Sequence, residues 1–182
     1  MRRLLVLVLV LAAVAALTRL VPHLPNFVPL GAMALLSGAL LGGGGLAYAV
    51  PLAAMLAGDL VLGLHAHVPA VYGAMAAVVW MGTRLGSRRG LVPVSAASLA
   101  GSTLFFLATN LSVWALDGLY PSTLEGLAAC YVAALPFFGN SLAADLLYVW
   151  VILGALRWVW PAADRALAVP RGPGVGPVRA AS

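Results

Sequence analysis

The chain predicts an all-α, polytopic membrane protein of about six transmembrane helices, with a short re-entrant or broken helix before the last. Three observations carry that expectation. Of the 182 residues, 63% are hydrophobic and only 8% charged, where soluble domains average about 25% charged, and the mean hydropathy is +1.05. The apolar residues fall in runs near the ~20 that a helix needs to cross a bilayer. The arginines stand at the ends of those runs, as residues that orient a membrane chain do. A single transmembrane domain over 1–160 accounts for the spans, and the Pro-, Gly- and Arg-containing tail over 161–182 is expected to be disordered because it cannot bury a core.

The elements follow in order. Met1-Arg2-Arg3 precedes an apolar run from Leu4 to Leu20. One reading is a signal peptide with Ala13-Val14-Ala15 as its small-residue cleavage site. The preferred reading is an uncleaved first span, because the run continues past the alanines and further membrane segments follow. Ala12 and Ala16 form a small-xxx-small pair that lets another helix approach closely, although alanine is simply abundant here. Pro22, Pro25 and Pro29 then forbid a continuous helix, since each lacks an N–H and restricts the residue before it. That turn is expected to hold His23 and Asn26 on a constrained loop at the outer membrane surface.

Phe27 to Leu41 reads as the second span, ended by the glycines Gly42 to Gly45. Leu46 to Leu64 is the third, carrying Pro51 and Asp59, and His65-Ala66-His67-Val68-Pro69 is a turn. The fourth runs from Pro69 to Met81 and is followed by Arg84, Arg88 and Arg89. The fifth covers Leu91 to Leu116. Ser122-Thr123-Leu124-Glu125 reads as a capping box in which Ser122 and Glu125 satisfy each other's backbone N–H groups. Gly126 to Leu135 is too short to cross before Pro136 and is therefore expected to be re-entrant, interfacial or half of a broken helix. Phe137 to Trp160 is the sixth span.

In this arrangement every arginine except Arg19 falls on one side. By the excess of positive charge on cytoplasmic loops, both termini are expected to be cytoplasmic. The opposite face collects His23, Asn26, His65, His67, Asp117, Tyr120 and Glu125.

The chain has no lysine, which excludes a P-loop and any lysine Schiff base. If ATP drives its work, a partner must bind the nucleotide. Cys130 stands alone and forms no internal disulfide. The net charge of +5 comes from arginines that orient the chain and does not indicate nucleic acid. No Gly-x-Ser-x-Gly, His-Glu-x-x-His, CxxC or dense aspartate array is present, so neither an enzyme nor a cofactor is expected.

Candidate ligand-binding residues are the few polar groups inside spans. Asp59 lies ~9 Å inside the outer boundary and Asp145 ~12 Å deep. An acidic side chain there costs several kcal/mol unless paired or solvated, so each is a candidate site residue or else a structural partner, Asp59 with Arg19 or a histidine. Asn110 and Asn140 offer donors and acceptors to a polar heterocycle or amide, and equally to a neighbouring helix. Tyr72, Trp114 and Tyr120 are able to stack on a flat ligand or to serve as interface belt residues. His23, His65 and His67 with Asp59 are the weak alternative of a metal site.

The segments Arg19-Leu-Val-Pro-His-Leu-Pro-Asn-Phe27, Ala57-Gly58-Asp59, Phe105-Phe-Leu-Ala-Thr-Asn110-Leu-Ser-Val-Trp114 and Tyr131-Val-Ala-Ala-Leu-Pro-Phe-Phe-Gly-Asn140 resemble a family of uncharacterised bacterial inner-membrane proteins over residues 17–158. That family is in turn similar to the substrate-binding S components of energy-coupling factor (ECF) vitamin transporters. The resemblance implies a membrane subunit that captures a vitamin-like small molecule from the outer face. It also implies partners: a transmembrane coupling protein, onto which Ala12 and Ala16 would dock, and ATPase subunits. Two other readings remain beside it. One is a membrane scaffold without a small-molecule ligand; the other is an intramembrane enzyme using Asp59 with His65 or His67.

Overall fold

A computed structural model describes residues 24–159 of the chain. Five helices follow one another: α1 (Leu30–Leu41), α2 (Gly45–Leu62), α3 (Val68–Arg84), α4 (Leu91–Leu116) and α5 (Leu124–Val159). The described part is all-helical, as expected. The expected first span over 4–20, with Ala12 and Ala16, lies outside the described residues, as do His23 and the 161–182 tail.

Helix α1 is the centre of the packing. Leu30 and every residue from Ala32 to Ala39 are buried, and the helix touches all four others. A helix that is apolar on every side has no face to offer water, so it goes inside. The closest approach is to α3, where two glycines meet. A Cβ on Gly38 would collide with the Val79 carbonyl oxygen, and one on Gly82 with the Leu35 carbonyl oxygen. Small residues let two backbones come together where lipid supplies no hydrophobic drive between helices. Ser37 adds a bond from its hydroxyl to the Ala47 carbonyl of α2 at 2.8 Å.

Helices α2 and α4, and Leu124–Leu156 within α5, are long and apolar enough to cross a membrane; α1 is apolar but short. The expected count of six spans is therefore not supported by the described helices, of which three meet that length and composition. Helix α4 ends where the sequence placed it, and α3 extends past Met81 to Arg84.

Further expectations, on α5 and on the proline turn, are corrected. The re-entrant piece before the last span does not form, because α5 runs unbroken for 36 residues with Pro136 inside it. Proline deletes one helical bond and crowds the preceding turn, but α4 holds both flanks in line. Before Pro136, the Tyr131 hydroxyl donates to the Leu107 carbonyl at 2.8 Å. After it, Asp145 meets Ser102 at 2.6 Å and the Trp150 indole N–H meets the Ser95 hydroxyl at 2.9 Å. The start of α5 is also capped differently: Thr123, not Ser122, accepts the Gly126 N–H at 3.1 Å, leaving Glu125 one place too early for a reciprocal bond.

The proline turn is also corrected. Helix α1 has 12 residues and so rises only ~18 Å from the Gly42–Gly45 turn, while α4 with 26 spans ~39 Å. The start of α1 and the turn before it therefore sit at mid-height of the bundle, not at its outer end. Asn140, well inside α5, confirms the level by donating its amide N–H to the Pro25 carbonyl at 2.9 Å. Phe27 N–H closes the turn on the Leu24 carbonyl at 2.9 Å, and Asn26 takes the left-handed φ of 61° that asparagine tolerates better than most residues.

Candidate functional site

The short α1 leaves space above its N-terminus. Two adjoining cavities, of about 180 and about 300 Å³, lie between the start of α1, α3, α4 and α5. Both are lined by Asn26, Val71, Ser102, Phe105 and Ser141, so they form one cleft.

Its inner end is polar. The Asp145 Oδ1 accepts the Ala32 N–H at 2.9 Å, and Oδ2 accepts the Ser102 hydroxyl at 2.6 Å. Helix α1 has no side-chain cap of its own, since its N-cap residue is Pro29. Asp145 supplies that cap from α5, placing an acceptor at the positive end of the helix dipole. Gly31 makes room for it, because a Cβ there would lie 2.5 Å from both carboxylate oxygens. Ser102 also lies 3.0 Å from the Ser98 carbonyl, so its one hydrogen is shared between two acceptors.

The outer end is aromatic and amide-lined, by Phe105, Phe106, Phe138, Thr109 and Asn110. Phe106 stacks on Phe138 at 4.4 Å between centroids and meets Tyr131 edge-on at 5.5 Å. Asn110 spends an amide N–H on the Phe106 carbonyl of its own helix at 2.8 Å, and its side-chain oxygen has no bond among the described residues.

Of the residues singled out from sequence, Asn26, Asn110 and Asp145 line the cleft. Asp59 and Tyr72 do not; they pair with each other at 2.7 Å, joining α2 to α3. His65 is exposed and its ring lies 5.6 Å from that of His67. His67 ties the α2–α3 turn to the end of α4, with Nε2 2.8 Å from Asp117 and Nδ1 2.9 Å from the Ser112 hydroxyl. Asp59 and His67 engage different partners, and no group of three metal-ligating side chains forms among the described residues, outside which His23 lies. Trp114 donates to the Pro121 carbonyl at 2.9 Å, pinning the loop that contains Tyr120. Asn140 holds the proline turn instead of facing the cleft.

Sequence reasoning missed Ser98, Ser102 and Phe105. A signal was present: Ser98, Ser102, Phe105 and Thr109 recur at three- and four-residue spacing, which puts them on one face of α4. Attention to ionisable residues passed over that stripe.

The described residues define an all-helical fold with three helices able to cross a membrane and a polar-ended cleft opening between α3, α4 and α5. The chain belongs to the family of unknown function DUF6580, whose profile matches residues 1–167. No curated protein and no solved structure matches the chain.

Proposed function

We propose that this protein is the substrate-binding membrane subunit of a micronutrient uptake system of the ECF type, and that its small-molecule ligand sits in the cleft. In this reading it is a six-span protein of the bacterial inner membrane with both termini cytoplasmic. It captures its ligand from the outer face and hands it to a transmembrane coupling protein driven by separate ATPase subunits. The observation that carries the reading is the cleft itself: its two cavities together reach the roughly 300–1,000 Å³ typical of small-molecule sites, with apolar walls and a few convergent polar groups. The four segments resemble an uncharacterised family that is in turn similar to S components, and that likeness suggests the coupling partners, with Ala12 and Ala16 as the docking surface.

The test is a thermal-shift screen of detergent-purified protein against vitamins, their precursors and nucleobases. Binding to the folded state alone stabilises by RT ln(1 + [L]/Kd), about 2.7 kcal/mol at a hundredfold excess over Kd. A specific hit names the ligand. Silence across the panel favours the second reading, a membrane scaffold, which has its own support: Asp59, His67, Asn140 and Trp150 each join two segments of the chain.

A further inference from the structure

We propose that the inner end of the cleft is a subsite for a monovalent organic cation, the protonated amine of a ligand about one ring in size, with Asp145 as its charge partner. The proposal rests on reading the cleft as a small-molecule site. Asp145 is 8% exposed, and the two groups bonded to it, the Ala32 N–H and the Ser102 hydroxyl, are both neutral. No arginine or histidine pairs with it among the described residues. A carboxylate at this depth costs several kcal/mol unless it is paired or solvated, and each of its oxygens keeps a lone-pair site open for a further donor.

Ser98 is the second, independent sign. Hydroxyls inside helices commonly bond back to the carbonyl four residues earlier, and Ser102, Thr103, Thr109 and Ser141 all do so here. Ser98 does not: it is 4% exposed, lines the inner cavity, and its hydroxyl bonds to no other residue. It stands one turn from Ser102 and lines the same cavity as the carboxylate. The α1 N-terminus alone would favour an anion, but its roughly half positive charge is already faced by the Asp145 carboxylate, whose ionised form carries a full negative charge. The balance left at the subsite is negative.

The rest of the ligand is set by the walls. A cavity of about 180 Å³ compares with the ~150 Å³ that holds a benzene ring, and Phe105, an aromatic ring of the kind that attracts cations and other rings, lines it.

The experiment measures thermal unfolding and equilibrium binding of the full chain in detergent with three matched probes: 2-phenylethylammonium, 2-phenylethanol and phenylacetate. The amine is expected to raise Tm and to bind at least tenfold more tightly than the alcohol, with phenylacetate silent. Asp145→Asn, which keeps an acceptor for Ala32, is expected to bring the amine down to the level of the alcohol. Because that change touches the α1 cap, Ser98→Ala serves as a second variant that leaves both Asp145 bonds in place; it is expected to weaken the amine about threefold to tenfold without lowering the Tm of the empty protein. Equal or tighter binding of the alcohol or the acid overturns the cation subsite while the cleft reading stands. Amine binding unchanged in both variants overturns it as well. Silence of all three probes also overturns the subsite, and the vitamin screen then decides the cleft reading separately.

Discussion

Asp145 on α5 accepts the Ala32 N–H of α1 at 2.9 Å, so the longest helix caps the shortest from across the fold. A 12-residue helix is marginal by itself in water, and α1 begins with a proline that offers no side-chain acceptor. Its start is thus defined by a residue more than a hundred positions away. The same bond holds the floor of the cleft, and several expected outcomes follow from the contacts around it.

Gly31→Ala would place a methyl 2.5 Å from both Asp145 oxygens. The carboxylate is held by two bonds and cannot swing aside without losing them. We expect a loss of ~1–3 kcal/mol, as for other overpacked sites, seen as a lower Tm in detergent. An unchanged Tm would show that Asp145 does not occupy this position.

At the α1–α3 crossing, Gly38→Ala and Gly82→Ala each bring a Cβ against backbone, which yields less than a side chain does. Each single variant should lose ~1–3 kcal/mol or more. Because either one already pushes the helices apart, the double variant should lose less than the sum. Additive losses in thermal unfolding would mean that the two glycines do not share one contact.

Tyr72→Phe removes the hydroxyl that donates to Asp59 at 2.7 Å. The pair is off the cleft, so stability should fall by about 1–3 kcal/mol while the affinity of any cleft ligand stays within about twofold of the unaltered protein. Titration of a ligand found by the thermal-shift screen, against the variant and the parent, checks both halves; a large loss of affinity would move Asp59 into the site.

Asn110→Ala removes a group that lines the outer cavity and whose amide N–H bonds only within its own helix. Binding of the same ligand should weaken by ~0.5–1.5 kcal/mol, up to about tenfold in Kd, with little change in the Tm of the empty protein. A drop in Tm with no change in Kd would make Asn110 a helix-joining residue.

The turn residues and helix limits were the most legible features, because glycine, proline and apolar run length act locally. Gly42 stops α1 at a φ of 76°, and α4 occupies the whole apolar run from Leu91 to Leu116. The site was legible only in part. Asp145, Asn110 and Asn26 stand out as rare polar residues, and all three line the cleft. Ser98 and Ser102 are ordinary small residues in an apolar helix, and their importance comes from what Asp145 does beside them.

By itself the sequence determined that the chain is helical and apolar enough for three of its described helices to cross a membrane, and where α4 begins and ends. Only the tertiary structure decided that Pro136 is crossed without a break, that α1 begins at mid-height, and that a cleft opens there. The reason is physical. In a chain apolar on nearly every face, hydropathy says which segments leave water but not which faces meet. That choice falls to close contacts between small residues, such as Gly38 and Gly82, and to a few bonds between residues far apart in sequence, such as Asp145 and Ala32.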